Sequence, residues 1–455
     1  MIEKLKKIVD GIEADFSDVR YEVRKDARVI FRGKDLSETG ANSTDGFVVR
    51  VLKNGGFGFS AVTRFDDIST AVARAVDAAE TMAGAGGEPI RLEQYPAMED
   101  VVTPDLDEDP LEISAQEKIE IVEKYNRLLL KEPEIASTHL AYTEVNRDRL
   151  YVSSEGARIK ERLITTNISG AVIARRGSLT QDMRVSVGGS DGFSRVRGRE
   201  DVFLERARIA RELLDADPVC GGKYRVVLSP LLAGVFTHEA FGHFSEADII
   251  EKNPSLRNKM SLGETLGSTA VSIVADSTIP RQLGYYRYDD EGVAVKPVTL
   301  MEHGVLTGRL HSRRTAAAFG EELTGHCVAE DFRYAPIVRM GTIFIDAGTK
   351  TYMDIIKELG NGLYLIDGKG GQTAGENFTF GAQYGFIVED GEVGPMIRDI
   401  NIMGNLFTTL KNIAAVSDTV ELSERGGCGK GQTNIRSNLG GPHVLVEDMV
   451  VGGVS

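Results

Sequence analysis

Ser229-Pro230-Leu231-Leu232-Ala233-Gly234-Val235-Phe236-Thr237-His238-Glu239-Ala240-Phe241-Gly242-His243-Phe244 is the stretch around which the rest of the chain arranges itself. Ser229 followed by Pro230 is an N-cap and first-turn signature, so a helix is expected to start here. Leu231, Leu232, Val235 and Phe236 supply its apolar face. Two histidines then bracket a glutamate. The zinc-peptidase pattern H-E-x-x-H sets its histidines four apart on one helix face. Here the spacing is five. At about 100° per residue, a regular helix leaves residues five apart about 140° out of register, against about 40° for four. Both rings reach one metal only if the turn between them is widened, as a one-residue π-bulge would do, with Gly242 placed where the distortion would fall. The competing reading is two unrelated polar residues on an ordinary helix. With only 7 histidines in the chain, two of them flanking a glutamate favour the metal reading.

After this helix the chain reads as β-rich. Strand candidates are YRVVLS (224–229), TAVSIVAD (269–276), YAPIVRMGTIFIDAG (334–348), LYLIDG (363–368), NFTFGAQYGFIVEDG (377–391) and HVLVEDMVVGG (443–453). Before it, two α+β units are expected. In residues 1–92 a helix at the start precedes a strand around Val19, Tyr21 and Val23. A hairpin over Phe47–Val62 turns at Asn54-Gly55-Gly56, and a helix follows from Asp66 to Ala83. Residues 93–110, rich in acid and proline and without periodicity, read as a solvated acidic linker. The second unit, 111–217, opens with a helix capped by Ser114. It continues as an antiparallel meander with turns at Asn146-Arg147-Asp148 and Ser154-Glu155-Gly156, and closes on a helix before Pro218. The fold class is α+β: N-terminal units with antiparallel sheets, then a β-rich domain, 218–455, carrying the metal-binding helix.

With 455 residues, 42% of them hydrophobic and 27% charged, this is ordinary globular composition with ample core. A net charge of -15 argues against nucleic-acid binding, which wants a basic stripe. No run of about 18 apolar residues predicts a membrane span, and the amphipathic start MIEKLKKIVDGIEADF lacks a signal-peptide core. Cys220, Cys327 and Cys428 are too few and too scattered for a disulfide framework, so a reducing cytoplasm is expected.

Two histidines need a third protein ligand, leaving the fourth position of a catalytic zinc site for water. Glu246 and Asp248 follow on the same segment; His303, His311 and His326 lie further along; Cys428 sits in a glycine-rich loop where Lys430 would favour its thiolate. Glu239 is available to activate water, as the glutamate of H-E-x-x-H does. Asp289-Asp290-Glu291 reads as a cation or amino-terminus site, or more commonly as a solvated turn. The glycine-rich 368–381 stretch lacks G-x-x-x-x-G-K-[ST], and no G-x-S-x-G is present, so nucleotide binding and an α/β-hydrolase elbow are set aside.

HEAFGH (238–243), YDDEGV (288–293), APIVRMGTIFI (335–345), GGQTAGENFTFG (370–381) and GGCGKGQ (426–432) occur in the order found in the TldD/PmbA proteins, once called modulators of DNA gyrase. The likeness is strong over the C-terminal half and holds in outline before it. The metal motif resembles the TldD type; the PmbA type, or TldE, lacks it. This resemblance implies zinc held by His238, His243 and Cys428, with Glu239 as the catalytic carboxylate. It also implies cleavage of unfolded or extended peptides, without strong sequence preference, in a closed chamber at a dimer interface. Extended peptides can bind a sheet edge through backbone hydrogen bonds. The dimer would be a homodimer or a heterodimer with a PmbA/TldE-like paralogue. Arg339 falls at a recurring arginine of the family and would grip a substrate carbonyl or carboxylate. One departure stands out: the family reads C-G-K-x-G-Q, whereas Cys428-Gly429-Lys430-Gly431-Gln432 is one residue shorter, so the loop beyond the cysteine should differ. The expected function is a zinc metallopeptidase; the alternative is a non-catalytic or regulatory subunit binding a toxin or topoisomerase.

Overall fold

The computed structural model describes residues 1–453. Its N-terminal part is built on one seven-stranded sheet of β1 (Phe16–Arg32), β2 (Asp35–Lys53), β3 (Gly56–Val62), β4 (Glu99–Val102), β5 (Ile135–Ser153), β6 (Arg158–Arg176) and β7 (Leu179–Gly189). The order is β3-β2-β1-β5-β6-β4, with β7 also on β6. The two N-terminal segments therefore share a sheet instead of each closing its own, because β1 pairs with β5 in an unbroken antiparallel register from Asp18↔Ser153 to Arg32↔His139. Helices α1 (Ile2–Val9) and α2 (Ile68–Gly84) cover one end of it, with Leu5, Val9, Ala71, Ala75 and Ala79 buried against Val19, Phe47, Val49 and Val51. Helices α3 (Ala115–Leu130) and α4 (Glu200–Glu212) cover the other, packing Tyr125 and Phe203 beside Leu140, Tyr142, Ile168 and Val172. Ser114 caps α3 by accepting the Glu117 N–H.

Two local expectations fail here. The Asn146-Arg147-Asp148 turn does not form: β5 runs straight through it, each residue paired on both sides, Arg147 with Arg24 and with Leu163. Turn propensity yields to a central position in the sheet. The acidic 93–110 segment is not a detached connector. It contributes β4, parallel to Arg158–Glu161 of β6, and binds Arg162 through Asp109 and Arg197 through Glu108.

The C-terminal part holds an eight-stranded and a six-stranded sheet. In the larger one Gly222–Leu228 lies between Gly362–Ala374, parallel, and Val444–Gly452, antiparallel. The smaller centres on Thr342–Ile345 between Ile273–Ala275 and Asn438–Gly441. Helix α5 (Pro230–Phe236) is wedged between the two. Its entry is as expected in the backbone, with Pro230 in the first turn, but Ser229 Oγ accepts the Asp367 N–H at 3.1 Å instead of capping the helix. Gly234 makes the wedge possible: a Cβ there would come within 2.7 Å of the Gly440 backbone. Leu232, Phe236, Phe241, Ile343, Leu365 and Phe380 share one core across both sheets. No helix among the described residues is long and apolar enough to cross a membrane.

The two parts are locked by buried charge. Asp290 takes Arg20, Arg147 and Arg149 of the N-terminal sheet, with Arg20 at 3.0 Å and Arg147 at 3.3 Å. Glu291 pairs with Arg50 at 3.1 Å, and Arg50 also holds Asp18. Asp289 accepts backbone N–H groups from Glu291, Val293 and Cys327. All three acids are buried, so the stretch read as a solvated turn or ligand site is instead a seam. Burial would raise the Asp290 carboxyl, but Arg147, Arg20 and Arg149 outweigh it and hold it far below the usual range.

Candidate metal centre

Beyond α5 the chain enters a π-helical turn, Thr237–Phe241, closed by the Gly242 N–H donating to Thr237 O, and then a tighter 3₁₀ turn, Gly242–Ser245. The five-residue hydrogen-bonded ring brings residues five apart into near register, which is what the H-E-x-x-x-H spacing requires. The His238 and His243 rings meet edge to face, centroids 5.5 Å apart. Gly242 is needed at the change of pitch, since a Cβ would sit 2.0 Å from Met340 Sδ.

Cys428 arrives from the far end of the chain. Its backbone N–H donates to Ile435 O and its carbonyl accepts the Ile435 N–H, making a small antiparallel bridge that returns the loop. Gly427 and Gly431 take positive φ on either side, at 101° and 71°. His238 Nε2 lies 2.9 Å and His243 Nε2 3.9 Å from Cys428 Sγ. The three donor atoms all fall within 4.8 Å of one another. Around a tetrahedral zinc, bonds of about 2.0 to 2.3 Å would set such donors roughly 3.3 to 3.6 Å apart, so the cluster suits that ion with small adjustments. Glu239 Oε2 stands 3.9 Å from His243 Nε2, its side chain 32% exposed and uncommitted.

Of the other candidates, Glu246 and Asp248 act one layer back. Glu246, fully buried, lies 3.4 Å from His243 Nδ1, an arrangement that fixes the ring and turns Nε2 to the cluster. It also pairs with Arg339 at 3.2 Å and Lys430 at 2.9 Å. Lys430 Nζ donates to Asp248 and to Val338 O as well, tying the cysteine loop to the segment after the histidines. His303, His311 and His326 stay outside the group: His303 faces Thr269 O, His311 faces Glu321 and Thr315, and His326 faces Thr324 O. Arg339 is wholly buried, so it presents no open grip for a substrate; it buttresses Glu246.

The electrostatics favour a ligand set. Burial pushes the Cys428 thiol up, but the hydrogen-bonding rings of His238 and His243 and the charge of Arg339 bring it down to about 5. These groups, and not the expected Lys430, stabilise the thiolate. Burial lowers His243, and Cys428 with Glu246 overcome this and raise it to about 9. A thiolate and two imidazoles, with a carboxylate close by, form a donor set able to hold a metal ion. Sequence reading missed the orienting task of Glu246, although an acid three residues past a candidate ligand is a usable signal.

Comparison with known proteins agrees with this chemistry. Three family profiles match in series: PmbA/TldA metallopeptidase domain 1 over residues 17–83, the central domain over 108–215 and the C-terminal domain over 221–453. A metalloprotease of Synechocystis is 33% identical over 97% of this chain and 95% of its own length. A zinc metalloprotease TldD homolog of Saccharolobus solfataricus is 29% identical over the whole of both. The fold is that of TldE from Thermococcus kodakarensis, at a TM-score of 0.80 and 18% identity, covering 99% of this chain and 100% of the other. The chain belongs to the TldD/PmbA family of metallopeptidases.

Proposed function

We propose that the chain is a zinc-dependent peptidase acting on unfolded or extended peptides, with His238, His243 and Cys428 as metal ligands and Glu239 as the catalytic carboxylate. The observation that carries the reading is the convergence of three donor atoms within 4.8 Å beside a carboxylate with no other partner among the described residues. A zinc ion held there would polarise the scissile carbonyl and lower the pKa of water. Glu239 accepts the proton of the attacking water and delivers it to the leaving amine. Glu246 keeps the His243 ring turned inward, and Lys430 keeps the Cys428 loop docked. Dimerisation, with a second copy or with a PmbA/TldE-like paralogue, is part of the same reading and rests on the family resemblance. A scaffold that only bound a partner would have no use for an uncommitted Glu239 at such a cluster.

The test is Glu239→Gln. Zinc content should stay at the wild-type level while hydrolysis of an unfolded peptide falls about 10²- to 10⁴-fold. Undiminished turnover would remove Glu239 from the mechanism.

A further inference from the structure

A cleft of about 730 Å³ opens beside the metal centre, between one face of the N-terminal sheet and the segment that carries Cys428. Its floor is set by strand alternation. Arg28 lies level with Thr143 and Asn167, and Asp26 level with Val145 and Thr165, all on the face opposite the α3 and α4 helices. Its wall is Arg425, Gly426 and Gly427 on one side of Cys428, and Ile435 and Arg436 on the other. Because Cys428 and Ile435 are bridged, the wall adjoins the cysteine, although Cys428 does not itself line the cleft.

The charge of this cleft reverses that of the chain, whose net charge is -15. Arg436 spends its guanidinium on Tyr285 O, Thr165 Oγ1, Ile164 O and Ser190 Oγ, and the charge of Glu161 acts on it, so it adds positive field but no free donor. Among the described residues no carboxylate neutralises Arg425; the like charge of Arg184 acts on it instead. Of the acids that line the cleft, Asp26 is paired with Arg24 and Glu144 with Lys118, while Glu330 accepts from the uncharged Thr433 N–H and hydroxyl. Arg425, the lining guanidinium with no carboxylate partner among the described residues, gives this cleft of ligand size the character of an anion site.

We propose that this cleft is a substrate subsite that receives a carboxylate of the peptide, either an acidic side chain or the free C-terminus. The proposal rests on the peptidase reading and adds to it a preference for acidic peptides. Binding of labelled peptides to the Glu239→Gln protein tests it independently of turnover. Paired peptides would carry Glu or Gln beside the scissile region, each with a free or an amidated C-terminus. The carboxylate-bearing member of one pair should bind roughly fivefold tighter at low salt, and about 1 M salt should erase the difference. Loss of the preference on Glu→Gln exchange identifies a side chain as its source; loss on amidation identifies the C-terminus. Adding Arg425→Glu should invert the preference, whereas Arg74→Glu, an exposed charge on α2, should not move it. Equal binding of all four peptides, or an equal shift from Arg74→Glu, overturns the subsite. Failure of the wild-type protein to cleave any of them, with the binding preference intact, overturns the peptidase reading and leaves the subsite standing.

Discussion

His238-Glu239-Ala240-Phe241-Gly242-His243 and Asp289-Asp290-Glu291 look alike as motifs: short, dense in ionisable groups, and lodged in an otherwise apolar half of the chain. In the fold they are opposites. Around Asp290 the acids are met by arginines of the N-terminal sheet, and the carboxylates' lone pairs are taken up by guanidinium and backbone N–H donors. Around His243 the donors outnumber their partners. Three atoms able to hold a metal lie within 4.8 Å of one another, and Glu239, 32% exposed, stands 3.9 Å from His243 Nε2. The first cluster is satisfied by partners of opposite charge; the second gathers groups of metal-binding type on one spot. Burial alone does not separate the two, since Asp290 and His238 are both buried.

The contrast can be broken from either side. The largest effect belongs to the open cluster: a His238→Ala, His243→Ala double variant should lose bound metal and peptide hydrolysis together, as read by elemental analysis and turnover. Full metal stoichiometry in that variant would move the centre elsewhere. On the closed cluster, Asp290→Asn leaves three buried arginines without their shared anion and should cost about 3 to 5 kcal/mol in unfolding free energy. Zinc per folded molecule should be unchanged; a lost metal with unaltered stability would reverse the assignments of the two clusters. The mildest test is pH. In the metal-free protein Cys428 is ionised above about 5 and His243 keeps its proton up to about 9. Metal binding must expel that proton, so affinity should rise with pH between those limits and level off above them. Below about 5 the thiol proton must leave too, and the slope should steepen. A chelator competition titration that gives a flat profile from about pH 6 to 8 would contradict the thiolate–imidazolium pair.

What could be read in the amino acids follows the same division. The five-residue histidine spacing announces a widened turn because a single helix must satisfy a fixed angular condition, and the π turn at Thr237–Phe241 meets it. The six strand candidates of the β-rich half fall on strands, but Val298–Glu302, Glu392–Arg398, Ile400–Asn405, Ile413–Val416 and Asn438–Gly441 go unread, and 334–348 holds two short strands, Ile337–Val338 and Thr342–Ile345. The sharing of one sheet by the two N-terminal segments does not show in the sequence, because it depends on β1 meeting β5 over 100 residues away. For the same reason Asn146-Arg147-Asp148 was legible only as a turn, and Asp289-Asp290-Glu291 only as a cation or amino-terminus site or a solvated turn: their partners lie on distant strands. Cys428 stands out by its glycines and by likeness to a family; nothing in its local sequence places it against His238. Arg425 and Arg436 give no signal at all until the loop is seen to fold back over the sheet.

The last donor to join the cluster lies 190 residues beyond the first. Gly222–Leu228, the strand that leads into the histidine helix, has Val444–Gly452 as one of its two neighbours. During synthesis, His238, Glu239 and His243 therefore emerge long before either their third companion or the strand that completes their support. A nascent or C-terminally nicked chain carries an incomplete set of donors. The order in which the polypeptide is made thus delays the full donor set until nearly all of the described chain has emerged.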